Sequence, residues 1–273
     1  MPSGMFRNPH TSVARPFVIR RLDTAEYKLN RQIPASVSKS DCFLYLYDGE
    51  VLTDVGAEPF LVCSGQFLYI PEGIPFAIKY YNGSKGYMGA FSRPMLRNPN
   101  IGLLYRREPV LADVPEEERG FVSSLSEKLL REQDEGGGET VSVILQAVLD
   151  LLLAQIDAFA GDGRAKLGST LCTGFLDMVF DRSSAISGVS AYAGRLGVSA
   201  NHPNRTVKGA TGRSAGEWVD ISRIALSKLL LRQSDMPIID IAIRSGFEDQ
   251  SYFSRFFKKH TGLTPSQFRS GEE

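Results

Sequence analysis

Histidine, cysteine and tryptophan are all scarce in this chain, with three, three and one copies in 273 residues. The histidines are His10, His202 and His260, so residues 16–92 contain none. That stretch cannot supply the histidine-and-carboxylate set by which a β-barrel enzyme holds a catalytic metal. Cys42, Cys63 and Cys172 are odd in number and show no C-x-x-C spacing, which suits buried free thiols in a reducing compartment better than a disulfide framework. No apolar core follows the basic residues of the N-terminus, so no signal peptide is expected. The most apolar stretch, 141–160, is interrupted by Gln146, Asp150, Gln155 and Asp157, too polar for a membrane span. A cytoplasmic protein is the expectation.

Net charge is also absent: 31 basic residues balance 31 acidic ones. The zero conceals a division, because residues 186–273 sum to +4 and residues 1–185 to −4. Opposite signs suit a basic nucleic-acid module carried by an acidic partner domain. The apolar and charged fractions are those of an ordinary globular protein.

Residues 16–92 read as short β-rich runs at 17–19, 42–47, 60–63, 66–70, 76–81 and 87–91. Asp48-Gly49, Ser64-Gly65, Pro71-Glu72-Gly73 and Asn82-Gly83 separate them as turns. Many short strands at regular spacing predict a small barrel or sandwich. Aromatic residues such as Phe43, Tyr45, Phe67, Tyr69, Phe76 and Tyr80 would face its interior, mostly as filled core. After Pro115 the texture becomes helical over 116–133, 139–159 and 165–180, with Gly136-Gly137-Gly138 as a break. The second of these carries an apolar stripe through Val141, Ile144, Leu145, Val148, Leu151, Leu152, Ile156 and Phe159. It serves either its own domain's core or a homodimer seam.

The last ninety or so residues contain an internal duplication. Tyr192-Ala193-Gly194-Arg195-Leu196-Gly197-Val198-Ser199 matches Ile241-Ala242-Ile243-Arg244-Ser245-Gly246-Phe247-Glu248 at an offset of 49. Asn204 to Lys208 then matches Ser254 to Lys258 at an offset of 50, as do Thr211-Gly212 with Thr261-Gly262 and Glu217-Trp218 with Gln267-Phe268. Each copy meets the needs of a helix-turn-helix. A small residue (Ala193, Ala242) allows close crossing, a glycine four later (Gly197, Gly246) takes positive φ, and an apolar residue (Val198, Phe247) plugs the corner. Ser199 should cap the second helix of the first copy well, and Glu248 that of the second less well. Between the copies, Ser214-Ala215-Gly216-Glu217 is a capping box opening a helix over 215–233. At ~1.5 Å per residue that helix is a rod of about 28 Å, suited to holding two helices in successive major grooves roughly 34 Å apart.

On these residues the chain resembles the AraC/XylS family of transcription regulators. The resemblance is carried by Asp240-Ile241-Ala242, by the run from Gly246 to Lys259, and by Thr261-Gly262-Leu263-Thr264-Pro265-Ser266-Gln267-Phe268-Arg269. It is close over about 187–270. Tyr45 to Gly49 and Gly65 to Pro71 look more generally like that family's cupin-like sensor barrel. The implied fold is α+β in two parts: a cupin-like barrel at 1–112, a helical linker at 113–182 that could dimerise, and a double helix-turn-helix domain at 183–273. The implied function is a DNA-binding regulator, more often an activator, with a small-molecule effector and RNA polymerase as further partners. The candidate DNA-contacting residues are Gln250, Ser251, Ser254, Arg255, Lys258 and Lys259 on the second recognition helix, and Asn201, Asn204, Arg205 and Lys208 on the first. Gln pairs with adenine, Arg with guanine and Lys with phosphate. The resemblance leads one to expect leucine at 203. Pro203 departs from it, and with Ser199 as cap it would be the fourth helical residue, unable to donate to the Ser199 carbonyl. No catalytic residue, metal or cofactor is expected. The rival readings are a cupin-type enzyme with an appended helix-turn-helix module and a nonspecific architectural DNA binder.

Overall fold

The structure is a computed structural model and describes residues 16–23, 33–56, 58–134, 139–160, 170–181 and 188–271. The chain divides into two compact units, Met1–Lys28 with Gln32–Lys166, and Leu167–Glu273 with Leu29–Arg31. The helical segment expected over 113–182 is therefore shared between them.

The first unit begins with β1 (Phe17–Asp23), β2 (Ile33–Val37), β3 (Asp41–Val55), β4 (Glu58–Cys63), β5 (Gln66–Ile70), β6 (Pro75–Phe91) and β7 (Val110–Asp113). They form one antiparallel sheet in the order β1-β6-β3-β5-β7, with β2 added to β6 and β4 to β3. Asp48-Gly49 and Asn82-Gly83, expected as turns between strands, lie within β3 and β6. The two strands pair with each other along most of their length and shift register between Leu46 and Glu50. Gly49 takes φ 74° there, and a Cβ on it would fall 2.5 Å from the backbone of Asn82 and Gly83, so only glycine fits. The shift also reverses the alternation of side chains. Cys42, Leu44 and Leu46 before it share one cluster with Val51 and Val55 after it. β2 and β7 were not among the expected strands.

The two faces of the sheet bury different cores. Cys42, Leu44, Leu68, Ile70, Phe76 and Ile78 belong to the cluster that joins the two halves of β3 and β6. A cavity among them amounts to about 10 Å³, room for roughly one water. Phe43, Tyr45, Phe67 and Tyr69 point the other way, because residues alternate along a strand. They pack with Val122, Leu125 and Leu129 of α1 (Arg119–Asp134) and Leu149, Leu152 and Ile156 of α2 (Glu139–Phe159). Phe43, Tyr45, Phe67 and Tyr69 are thus core against helices, Phe76 joins the inner cluster, and of the six named Phe43 and Phe76 line the small cavity. Leu152 is fully buried in that core, so most of the apolar stripe on α2 serves its own unit. The helices are tied down by polar contacts as well. Gln133 behaves like a strand residue: its Oε1 accepts from Ile19 N at 2.6 Å and its Nε2 donates to Ile19 O at 3.1 Å, covering the free edge of β1. Asp41, fully buried, accepts from Arg93 Nε and a terminal guanidinium nitrogen at 2.8 and 3.0 Å and from the Tyr69 hydroxyl at 2.7 Å. Burial and that carboxylate push the Tyr69 hydroxyl well above the usual tyrosine range.

The second unit is helical, with α3 (Thr170–Phe180), α4 (Val189–Arg195), α5 (Asn201–Thr211), α6 (Ala215–Gln233), α7 (Ile238–Arg244), α8 (Gln250–Thr261) and α9 (Pro265–Ser270). Residues 165–169 of the expected third helix lie outside the described residues. Among the described residues, no helix is long and apolar enough to cross a membrane.

Candidate nucleic-acid interface

The duplication in the sequence is a duplication in space. Two residues beyond α4 and α7 stands a glycine of positive φ, Gly197 at 68° and Gly246 at 81°. In both corners the next residue closes the turn with the same bond, Val198 N to Ala193 O at 3.0 Å and Phe247 N to Ala242 O at 2.9 Å. Ala193 and Ala242 are buried beneath. The recognition helices α5 and α8 follow. Each ends in a left-handed glycine whose N–H reaches a lysine carbonyl at 2.9 Å, Gly212 to Lys208 and Gly262 to Lys258.

A threonine beside each glycine fixes how the chain leaves the recognition helix. Thr211 Oγ1 donates to Val207 O at 2.8 Å and accepts from Arg213 N at 3.2 Å. Thr261 Oγ1 donates to Phe257 O at 2.8 Å and accepts from Leu263 N at 3.3 Å. In the first copy Trp218, fully buried on α6, adds an indole N–H to Thr211 Oγ1 at 2.9 Å. The next helix opens with a capping box both times, Ser214 with Glu217 and Thr264 with Gln267. α6 then contacts α3, α4, α5, α7 and α9, so it is covered on several sides instead of along one stripe. Trp218, Val219, Ile224 and Leu231 are buried on it.

The helix starts differ from the expected ones. α8 is capped by Asp249, whose Oδ1 accepts from Tyr252 N at 2.6 Å, and not by Glu248. α5 has Ala200 at its cap position and no side-chain cap bond, so Ser199 does not cap. Pro203 is consequently the third helical residue, inside the first turn, where a backbone N–H has no partner within the helix. The Ser199 carbonyl, which Pro203 cannot serve, accepts from His202 N at 3.0 Å. In the second copy the corresponding bond runs from Phe253 N to Asp249 O at 3.0 Å. Pro203 is buried, as Phe253 is, so it fills the anchor position with a ring at no cost in unsatisfied backbone.

The exposed faces carry most of the candidate residues. Asn201, Asn204, Arg205 and Lys208 on α5, and Gln250, Ser251, Arg255, Lys258 and Lys259 on α8, are all exposed, while Ser254 is half-buried. Asn204 is engaged within the fold: its Oδ1 accepts from Ala215 N at 3.1 Å. Several other basic groups of the unit are occupied elsewhere. The guanidinium groups of Arg213, Arg223 and Arg232 lie over the rings of Trp218, Phe247 and Phe268 at 5.6, 5.1 and 4.6 Å. Arg269 donates to Met236 O at 2.6 Å. Burial, with Arg232 nearby, pushes the Lys228 ammonium below its usual range. Exposed positive charge thus lies on the recognition helices at Arg205, Lys208, Arg255, Lys258 and Lys259, with Arg195 and Arg244 exposed on α4 and α7.

Residues 192–271 match the family model described as a helix-turn-helix domain. Over 62 residues the chain is 50% identical to the arabinose operon regulatory protein of Escherichia coli (strain K12), covering 23% of this chain and 21% of that protein. It is 36% identical over 95 residues to the probable transcription factor PqrA of Proteus vulgaris, covering 35% of this chain and 77% of that protein. The chain belongs to the AraC/XylS family of transcription regulators. Among solved structures, the C-terminal domain of AraT, a response regulator from Geobacillus stearothermophilus, is similar at 29% identity and a TM-score of 0.35, covering 38% of this chain and 86% of that one. All three matches fall short of this regulator's full length.

The caps of this AraC/XylS chain offer a direct check on the two helix starts. Asp249→Ala should cost about 1 kcal/mol of unfolding free energy, whereas Ser199→Ala should cost less than about 0.5 kcal/mol. Urea titration of both variants measures this; equal losses would mean that Ser199 caps after all.

Proposed function

We propose that this chain is a sequence-specific DNA-binding regulator, more often an activator, acting in the cytoplasm with RNA polymerase as the partner of activation. The observation that carries this reading is the pair of recognition helices, each presenting exposed polar and basic residues, α5 in contact with the 19-residue helix α6 and α8 sharing a hydrophobic core with it through Ile224 and Leu231. Arg255 reads guanine, Gln250 reads adenine, and Lys208, Lys258 and Lys259 meet phosphates. A nonspecific binder would call for a uniformly basic face, and Asn201, Gln250 and Ser251 are polar and uncharged. The test is selection of bound duplexes from genomic fragments, followed by competition binding. Arg255→Ala should weaken the cognate complex by about 1–3 kcal/mol and leave shuffled DNA nearly unaffected; Lys258→Ala should weaken both alike and flatten the salt dependence by about one unit of slope. Equal loss on both duplexes for Arg255→Ala would reduce that residue to a phosphate contact.

The first unit is the sensor of a small-molecule effector in this reading. Its inner cavity of about 10 Å³ means that an effector enters only as side chains such as Phe76 and Met88 move, which links binding to the packing of the unit. The same unit also offers a surface for a second copy. Val143, Ala147, Leu151, Ala154 and Ala158 are exposed on α2 at helical spacing, with Leu151 45% accessible. This outer face, and not buried Leu152, is the proposed homodimer seam. Leu151→Glu should convert the dimer to monomers in light scattering without loss of helix content; a wild-type protein already monomeric at micromolar concentration would remove the seam.

A further inference from the structure

The two copies of the helix-turn-helix differ at one pair of positions that the fold brings together. In the first copy the helix after the recognition helix begins with Ala215, and a backbone N–H in that first turn has no partner within its own helix. Asn204 Oδ1 supplies one at 3.1 Å from across the junction. In the second copy the matching positions, fifty residues on, are Ser254 and Pro265. Pro265 opens α9 and has no N–H to satisfy, and the residue at the asparagine's position is a serine. Where the N–H is absent, at Pro265, the long amide is replaced by the shorter serine, which fits the asparagine answering the Ala215 N–H.

An asparagine amide has one accepting edge and one donating edge. Only the oxygen can meet an N–H, so the bond to Ala215 decides which edge is which. Asparagine reads adenine by using both edges, accepting from N6 and donating to N7, whereas guanine offers two acceptors and thymine one. Resting on the DNA-reading function proposed above, we infer that Asn204 reads with its N–H donors: the bond to Ala215 turns its oxygen back toward the fold, so in the first half-site it favours the acceptors of guanine or thymine and loses the two-point pairing with adenine. The residue remains exposed, and with its oxygen engaged by Ala215 its two N–H donors are the part left to meet DNA. Gln250, exposed and without a side-chain bond to the described residues, keeps both edges and with them the capacity to pair with adenine. Two amides on equivalent helices thus read different bases because of one backbone N–H.

The test uses the full chain and a library of randomised duplexes, selected in parallel by the wild type, Asn204→Asp and Ala215→Pro. Asn204→Asp keeps an oxygen for Ala215 and loses the donors, so it should melt as the wild type does while erasing the preference at one position. That position identifies the base read by Asn204. There the wild type should favour guanine or thymine over adenine by about tenfold. Ala215→Pro copies Pro265, frees the oxygen, and should raise adenine at the same position by about tenfold, although residue 215 is itself fully buried and cannot touch DNA. A wild-type preference for adenine there, an unchanged preference in Ala215→Pro, or no altered position in Asn204→Asp would each overturn the inference. Should Ala215→Pro fail to fold, the double variant Asn204→Ser with Ala215→Pro reproduces the second copy and should fold; its failure would also overturn the inference. A wild type that enriches no sequence at all would instead remove the DNA-reading function on which the inference rests.

Discussion

A recognition helix can read DNA only if the chain leaves it at a fixed angle, and here one hydroxyl sets that angle twice. Thr211 and Thr261 each donate back to a carbonyl four residues earlier and accept the N–H two residues later. The glycine between takes a left-handed conformation, and a capping box starts the next helix within three residues. Such a junction leaves few unsatisfied backbone groups at a helix end, where an α-helix ordinarily has four. The first junction is additionally locked by the Trp218 indole, while the second leans on aromatic packing: Phe257 and Phe268 meet edge to face at 5.4 Å, and Phe247 lies 5.2 Å from Phe253. The two halves reach the same geometry by different chemistry.

Much of this was legible beforehand. The paired Gly197 and Gly246, the Thr-Gly repeats and the Ser214–Glu217 box are residue types whose backbone consequences are local, so they announce themselves in a single chain. α2 and α6 likewise occupy the residues expected of them. What stayed hidden depended on side chains meeting across the fold. Each recognition helix starts one residue later than its local sequence suggests, with the cap at Asp249 and not Glu248, and with Pro203 third and not fourth in its helix. The role of Asn204 is invisible until Ala215, eleven residues later, is placed beside it.

The first unit was harder to read, for a physical reason. Glycine at 49 and 83 signals a turn, but the same conformational freedom serves a bulge inside a long strand, and the pairing of β3 with β6 decided between them. Alternation then put Phe43, Tyr45, Phe67 and Tyr69 against α1 and α2 and left Leu44, Leu68 and Ile70 between the halves of the sheet. Sequence period fixes which residues share a face, but not which face meets the helices.

The central claim is that α6 holds two recognition helices in successive major grooves on one face of DNA. Hydroxyl-radical footprinting of the full chain on a selected duplex tests it most directly. The account predicts two protected patches on each strand, centred about 10 base pairs apart and on the same face, with both lost when Arg205 and Arg255 are replaced together by alanine and one retained when either is replaced alone. A single patch, or two on opposite faces of the duplex, would contradict it.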